Sequence, residues 1–158
     1  MPFHQRHILP FIRNLSAENL REFETLYEIS PLEALYDLSP DELVFVIEKD
    51  DKPIAMTGIV LREDSGMMWA LFSNDLRKNW ISFARASEML IQFYHTIRET
   101  IHSEVWTENE MIHQWLVYLG FEPECFIEKP NGQSVVRFVR CQPELNYVQA
   151  DTLRPVLH

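Results

Sequence analysis

The chain has 158 residues, with 14 Lys and Arg against 24 Asp and Glu, a formal charge of −10. That length fits one domain and leaves little for a second core. The charge argues against nucleic acid as the main partner, because phosphate binding needs clustered Lys and Arg, and it argues equally against anionic membrane surfaces.

Apolar residues make up 46% and charged residues 24%, the mix of a soluble globular protein. No apolar run approaches the roughly 20 residues that span a bilayer. Residues 1–7 carry no apolar leader core. Cys125 and Cys141 make no disulfide framework, so a reducing cytosolic site of synthesis is the expectation. The glycines are four: Gly58, Gly66, Gly120 and Gly132.

Residues 7–13 read as a short apolar strand, and Pro10 puts it at an edge. Ser16 reads as a helix N-cap, with Glu18 suited to the positive end of the dipole. Leu20, Phe23, Leu26 and Tyr27 then give an amphipathic helix over 17–28. Ser30, Pro31 and Glu33 restart a helix that carries Leu32, Leu35, Tyr36 and Leu38 and ends at Ser39-Pro40.

Three strands follow. Residues 43–47 are a continuous apolar run, expected of a strand buried on both faces. Residues 54–61 and 67–72 are the next two, separated by turns at 50–53 and 64–66 and closed by a break at 73–75. Trp80, Phe83, Ala84, Ala86, Leu90, Phe93, Tyr94 and Ile97 recur at spacings of three and four, so 77–99 is a long helix. A short strand over 102–107 and a helix over 109–119 come next, with Gly120 as the breaker. Strands at 124–128 and 133–139 flank an Asn131-Gly132 hairpin turn. Residues 1–140 read as one domain and 141–158 as a tail or arm, apolar at Leu145, Tyr147, Val148, Leu153, Val156 and Leu157. The order β-α-α-β-β-β-α-β-α-β-β mixes hairpins with helical crossovers and predicts an α/β, α+β-type fold with a mixed sheet.

That order, over about residues 7–140, resembles the GCN5-related N-acetyltransferase (GNAT) superfamily. The most specific local match is the last helix, which opens on Asn109 and ends in Gly120-Phe121. Residues 69–73, the long helix, Val105-Trp106 and the same Asn109-to-Gly120 helix also resemble the small acetyltransferase-like proteins of short-tailed bacteriophages, the internal virion protein A type. The narrower likeness implies a phage product located in the virion or the host cytoplasm, with a virion component or host protein as partner and the tail as a route to oligomers.

The superfamily resemblance implies acetyl-CoA, held by a Gln/Arg-x-x-Gly-x-Gly/Ala turn whose amides bind the diphosphate. Here residues 73–82 contain no glycine; Arg77 and Lys78 supply positive charge, Asp75 opposes them and Trp80 is bulky. The acid that protonates the leaving thiolate is often a Tyr seven residues after the Asn, and here that position is Leu116. Tyr118 points elsewhere, Tyr94 reads as core and His95 as surface. Two readings follow. In the first, the domain has lost acetyl transfer, uses no cofactor and acts through protein contacts. In the second it is an active acetyl-CoA-dependent N-acetyltransferase on an amine or Lys-bearing substrate. The cofactor-binding residues would then be Leu71, Phe72 and Ser73 through their main chain, Arg77 and Lys78 through charge, and Asn109 at the helix start.

No metal-ligand spacing is present: His4 and His7 stand three apart without partners, and no His-Glu-x-x-His or paired-Cys motif occurs. Glu104, Glu108 and Glu110 flank a strand and a helix start, where they suit the dipole; a general base among them is the minor reading. Trp69, Trp80, Trp106 and Trp115 read mostly as core, with Met67, Met68 and Trp80 as the candidates for exposure.

Overall fold

The computed structural model describes residues 8–23, 34–35 and 42–142. Two short helices come first, α1 (Ile8–Arg13) and α2 (Ala17–Glu22). Three strands follow: β1 (Glu42–Lys49), β2 (Lys52–Leu61) and β3 (Ser65–Phe72). A 3-10 turn at Arg77–Asn79 leads into α3 (Trp80–Ile97). Then come β4 (Thr100–Trp106), α4 (Glu110–Tyr118), β5 (Glu122–Glu128) and β6 (Ser134–Cys141). The described strands form one mixed sheet in the order β1-β2-β3-β4-β6-β5, antiparallel except where β3 meets β4.

Alternation along the strands divides the apolar residues between two faces. Ala55 and Ile59 of β2, Phe72 of β3 and Ile101 and Val105 of β4 join Phe83, Tyr94, Ile112 and Trp115 of α3 and α4 in the larger core. Val46, Met56 and Leu71 join Ile8, Phe11, Leu15 and Phe23 of the N-terminal helices in the smaller one.

Within the segment 7–13, Ile8–Arg13 is a helix, not an edge strand. Ile8, Phe11 and Leu15 are buried while Leu9 and Pro10 are exposed, a helical spacing of three and four. Pro10 is tolerated because it lies in the first turn, where no N–H is needed. The 43–47 run is also not buried on both faces. It belongs to β1, an edge strand, and Leu43, Val44 and Phe45 are only half-buried. Residues 24–33, 36–41 and 143–158, and the Glu18 side chain, lie outside the described residues, and with them the later part of the 17–28 helix, most of the second N-terminal helix and the apolar tail. The last strand runs on to Cys141.

Local signals held where chemistry was explicit. The α4 exit donates Gly120 N–H to Val117 O and Phe121 N–H to Leu116 O, with Gly120 at φ +88°, a Schellman end. The β1–β2 hairpin turns on Asp50 and Asp51 at φ 53° and 63°, a two-residue turn made without glycine. Gly132 takes φ 84° in the second hairpin. Trp106 and Trp115 are buried and Trp69 and Trp80 half-buried. Met68 is buried, contrary to expectation, because its position on β3 faces the α3/α4 core.

Gly58 of β2 is opposite Trp69 of β3, and a Cβ there would stand 2.6 Å from the indole ring. Trp69 cannot swing away freely, since its Nε1 donates to Glu42 Oε2 at 2.9 Å. Overpacking of this kind costs about 1–3 kcal/mol. Gly58→Ala is therefore expected to lower the urea midpoint by the equivalent of about 2 kcal/mol, with Trp fluorescence of the native state altered.

Candidate functional site

β3 and β4 pair only over three positions, Ser65 to Thr100, Gly66 to Ile101 and Met67 to His102. Beyond them the strands diverge into a V. Ser73 N–H donates to Ile54 O, on the β2 side, so alternation turns the N–H and C=O of Phe72 toward the V. Thr107 N–H donates to Ser134 O, on the β6 side, so the Trp106 N–H also faces the V. Buried groups of this kind need partners.

α2 supplies them. Ser16 N–H donates to Phe72 O at 2.8 Å, and Phe72 N–H donates to Asn19 Oδ1 at 2.8 Å. Trp106 N–H donates to Glu22 Oε2 at 3.3 Å, and Asn109 Nδ2 approaches the same oxygen at 3.4 Å. Residues 16, 19 and 22 recur every three and form one polar row, buried to 3%, 0% and 5% exposure, while Leu20 is 40% exposed. The apolar pattern is followed only in part: Phe23 is buried, Leu20 faces out, and the polar row faces the strands it ties together. Ser16 is the N-cap expected, accepting from Asn19 N–H at 3.3 Å.

A cavity of about 290 Å³ lies in the V, lined by Glu22, Leu35, Trp69, Leu71, Ser103 and Val105 among others. Burial pushes the Glu22 carboxyl up to about 7, against the lowering effect of the hydrogen bonds from Trp106 and Asn109. Ser103 Oγ donates to Met68 O at 3.0 Å, where the two strands begin to part.

Of the residues singled out from sequence, Leu71, Phe72 and Asn109 are brought together at the V, while Ser73 turns its N–H to Ile54 O and its oxygens to the next turn. Asn109 is the α4 N-cap, accepting from Ile112 N–H at 3.5 Å. Arg77 and Lys78 stand on the next turn, outside it. Lys78 is 71% exposed along its side chain and pairs with Asp75 at 2.9 Å. That ion and the Asn14 amide hold the Asp75 carboxyl below its ordinary range. Three of the turn's amides are spent locally: Leu76 N–H on Ser73 O, Asn79 N–H on Leu76 O and Asp75 N–H on Ser73 Oγ. Counted from Arg77, the glycine positions of the phosphate motif are Trp80 and Ser82. Trp80 packs against Phe83 and Tyr118, with ring centroids at 5.8 and 6.3 Å.

The remaining candidates lie elsewhere. Leu116 is fully buried in the core, and Tyr118 is exposed and donates to Glu88 at 2.6 Å. Tyr94 is core, as expected, and burial pushes its phenol up. His95 is not a surface residue: it is 8% exposed, its Nδ1 lies 3.1 Å from Arg98 O, and burial pushes its imidazole down. It sits at the end of α3, where the helix meets the sheet. Glu104 is tied to Arg137 at 2.8 Å and Lys129 at 3.6 Å, while Glu108 and Glu110 are exposed. Among the described residues no group of three His, Cys, Asp or Glu is placed to hold a metal, and no helix is long and apolar enough to cross a membrane.

No protein-family model matches the chain, and no curated protein matches it in sequence. Solved structures do match it in shape. The spermidine N-acetyltransferase of Vibrio cholerae in complex with CoA and spermine aligns over 90% of this chain and 94% of its own, with a TM-score of 0.67 at 19% identity. The fold is that of the GNAT acetyltransferases. An aminoglycoside 6'-acetyltransferase type Ii aligns over 90% and 98%, with a TM-score of 0.65 at 15% identity. The ribosomal-protein-S18-alanine N-acetyltransferase of Escherichia coli aligns over 89% and 91%, with a TM-score of 0.64 at 11% identity. At these identities the likeness is one of GNAT architecture.

Glu22 gives the site a pH signature. A carboxyl whose pKa is raised from 4.5 to about 7 binds its proton more tightly when folded, so its contribution is full below pH 4.5 and is lost as pH rises through 7. The loss amounts to up to about 3 kcal/mol. Glu22→Gln keeps an acceptor for Trp106 and removes the charge. It is expected to match the parent near pH 4.5 and to exceed it in urea resistance at pH 8. Equal pH slopes for the two proteins would contradict this account of Glu22.

Proposed function

We propose that this chain uses the GNAT fold without acetyl transfer, as a domain that acts by binding another protein. One observation carries the reading: the Phe72 main-chain groups that would meet the pantetheine are held by Ser16 and Asn19. The phosphate turn supports it, since Trp80 stands where the motif has glycine, Ser82 where it has Gly or Ala, and the Asp75, Leu76 and Asn79 amides are already bonded. In this reading the residues present do not fit CoA, and no reaction step is assigned to it. The likeness of residues 69–73, Val105-Trp106 and the α4 helix to small phage acetyltransferase-like proteins supports a virion component or a host protein as the partner, and the virion or host cytoplasm as the location.

A second reading keeps one specific support. Glu22 is a carboxyl with a pKa near 7, facing a cavity between the diverging strands, and that suits a general base for an amine. An active N-acetyltransferase would require α2 to withdraw from Phe72 and would recruit Arg77 and Lys78 to the diphosphate.

Calorimetric titration with CoA and with acetyl-CoA separates the two. The non-catalytic reading expects no heat at ligand concentrations up to about 100 μM. A Kd below that value, with CoA displacing the acetyl form, would replace it with the enzyme reading. In parallel, the chain is expected to sediment with assembled phage particles or to be retained by a single host protein from infected cells; absence from both would remove the partner assignment.

A further inference from the structure

β5 is the least covered strand of the sheet. Residues 122–126 are exposed, Ile127 is half-buried and Glu128 is exposed, so both faces are open along most of its length. Phe126 is 77% exposed. β5 is also terminal in the sheet order, so its outer row of main-chain groups has no strand beside it among the described residues.

The direction of that row follows from the hairpin. Lys129 N–H donates to Gln133 O. Alternation then turns Cys125 and Ile127 toward β6 and points the N–H and C=O of Phe126 and Glu128 outward. Pro123 and the register shift between Pro123 and Cys125 close the first half of the edge. Residues 125–128 remain open.

Charge selects the occupant. The strand carries Glu122, Glu124 and Glu128 and no Lys or Arg, in a chain of net charge −10. A second copy aligned antiparallel on Phe126 would bring each Glu128 toward the other copy's Glu122–Glu124 end, and like charges so juxtaposed are destabilising. A basic strand meets the opposite situation. The same carboxylates that repel self-pairing attract Lys and Arg beside them, which gives both the attraction and the rejection that specificity needs.

We propose that the outer edge of β5, over residues 125–128, takes up a basic, extended segment of another protein as an added strand. The guest's main chain pairs with Phe126 and Glu128, an apolar guest residue covers the Phe126 ring, and Lys or Arg residues flank Glu124 and Glu128. This inference stands apart from what the V holds, because β6 and β4 separate β5 from it.

The test uses the full chain and three labelled peptides of equal length, followed by fluorescence anisotropy. One alternates Lys with Val, one alternates Glu with Val, and one carries the same Lys content interrupted by Pro and Gly. The Lys-Val peptide is expected to bind, to slow hydrogen exchange at the Phe126 and Glu128 amides, and to leave any CoA titration unchanged. Phe126→Pro removes one outward N–H and no bond to β6, and is expected to weaken binding by about tenfold or more. The double variant Glu124→Lys, Glu128→Lys, which needs no backbone change, is expected to reverse the preference toward the Glu-Val peptide. Equal binding of the Pro/Gly peptide would reduce the effect to bulk charge and overturn the proposal. So would no binding by any peptide, or a dimer of the free chain that Phe126→Pro abolishes.

Discussion

Two parallel strands that pair for three positions and then part leave their inner amides without a ladder, and this is the constraint around which the rest of the molecule is arranged. A buried N–H left unbonded costs about 1–3 kcal/mol, so divergence of β3 and β4 has to be met by something. Here α2 meets it, with Ser16 and Asn19 on one strand and Glu22 on the other. Its polar contacts tie it to both strands along its described length. Asn109 links the same carboxylate to the start of α4, so the β4 end, α2 and α4 meet at one oxygen.

That arrangement gives the functional question its form. A GNAT fold used for transfer needs inner-edge groups and a permissive turn available to a thioester cofactor. In this chain the inner-edge groups at Phe72 serve the protein's own helix, and the turn before α3 is stitched to itself and to Asp75. The buried acid at the same place lies against mostly apolar walls, and burial is why its proton is held to near neutrality. The fold and the site chemistry thus carry separate information, and the fold alone does not name a reaction.

Much of the architecture was legible because it rests on local rules. The long amphipathic helix, the three-strand run and the Asn109-to-Gly120 helix each carry periodicity and caps within a short window. The N-terminal segment was not, because residues 7–13 satisfy an apolar-strand pattern and a helical one equally, and only the packing of Ile8, Phe11 and Leu15 on Met56 and Leu71 decides between them. The site was half legible. Phe72 and Asn109 were found through the family pattern, whereas Ser16, Asn19 and Glu22 were missed as partners of the strands. Their spacing of three was visible, but hydrophobic patterning assigns polar residues outward. What turned them inward is a demand from strands more than fifty residues away. His95 was misplaced for a related reason, since its burial depends on residues beyond its own helix, with Arg98 and Arg140 beside it.

The indole of Trp69 over Gly58 has a consequence for how the sheet assembles. Moving β3 by one residue along β2 would set Thr57 or Ile59 beneath that ring, where there is room for neither, and would exchange the membership of the two cores. The missing side chain therefore works as a slot that accepts the ring in one alignment only. Three antiparallel strands so keyed present β3 to β4 in one alignment, and the ring that Gly58 admits is also a wall of the cavity in the V.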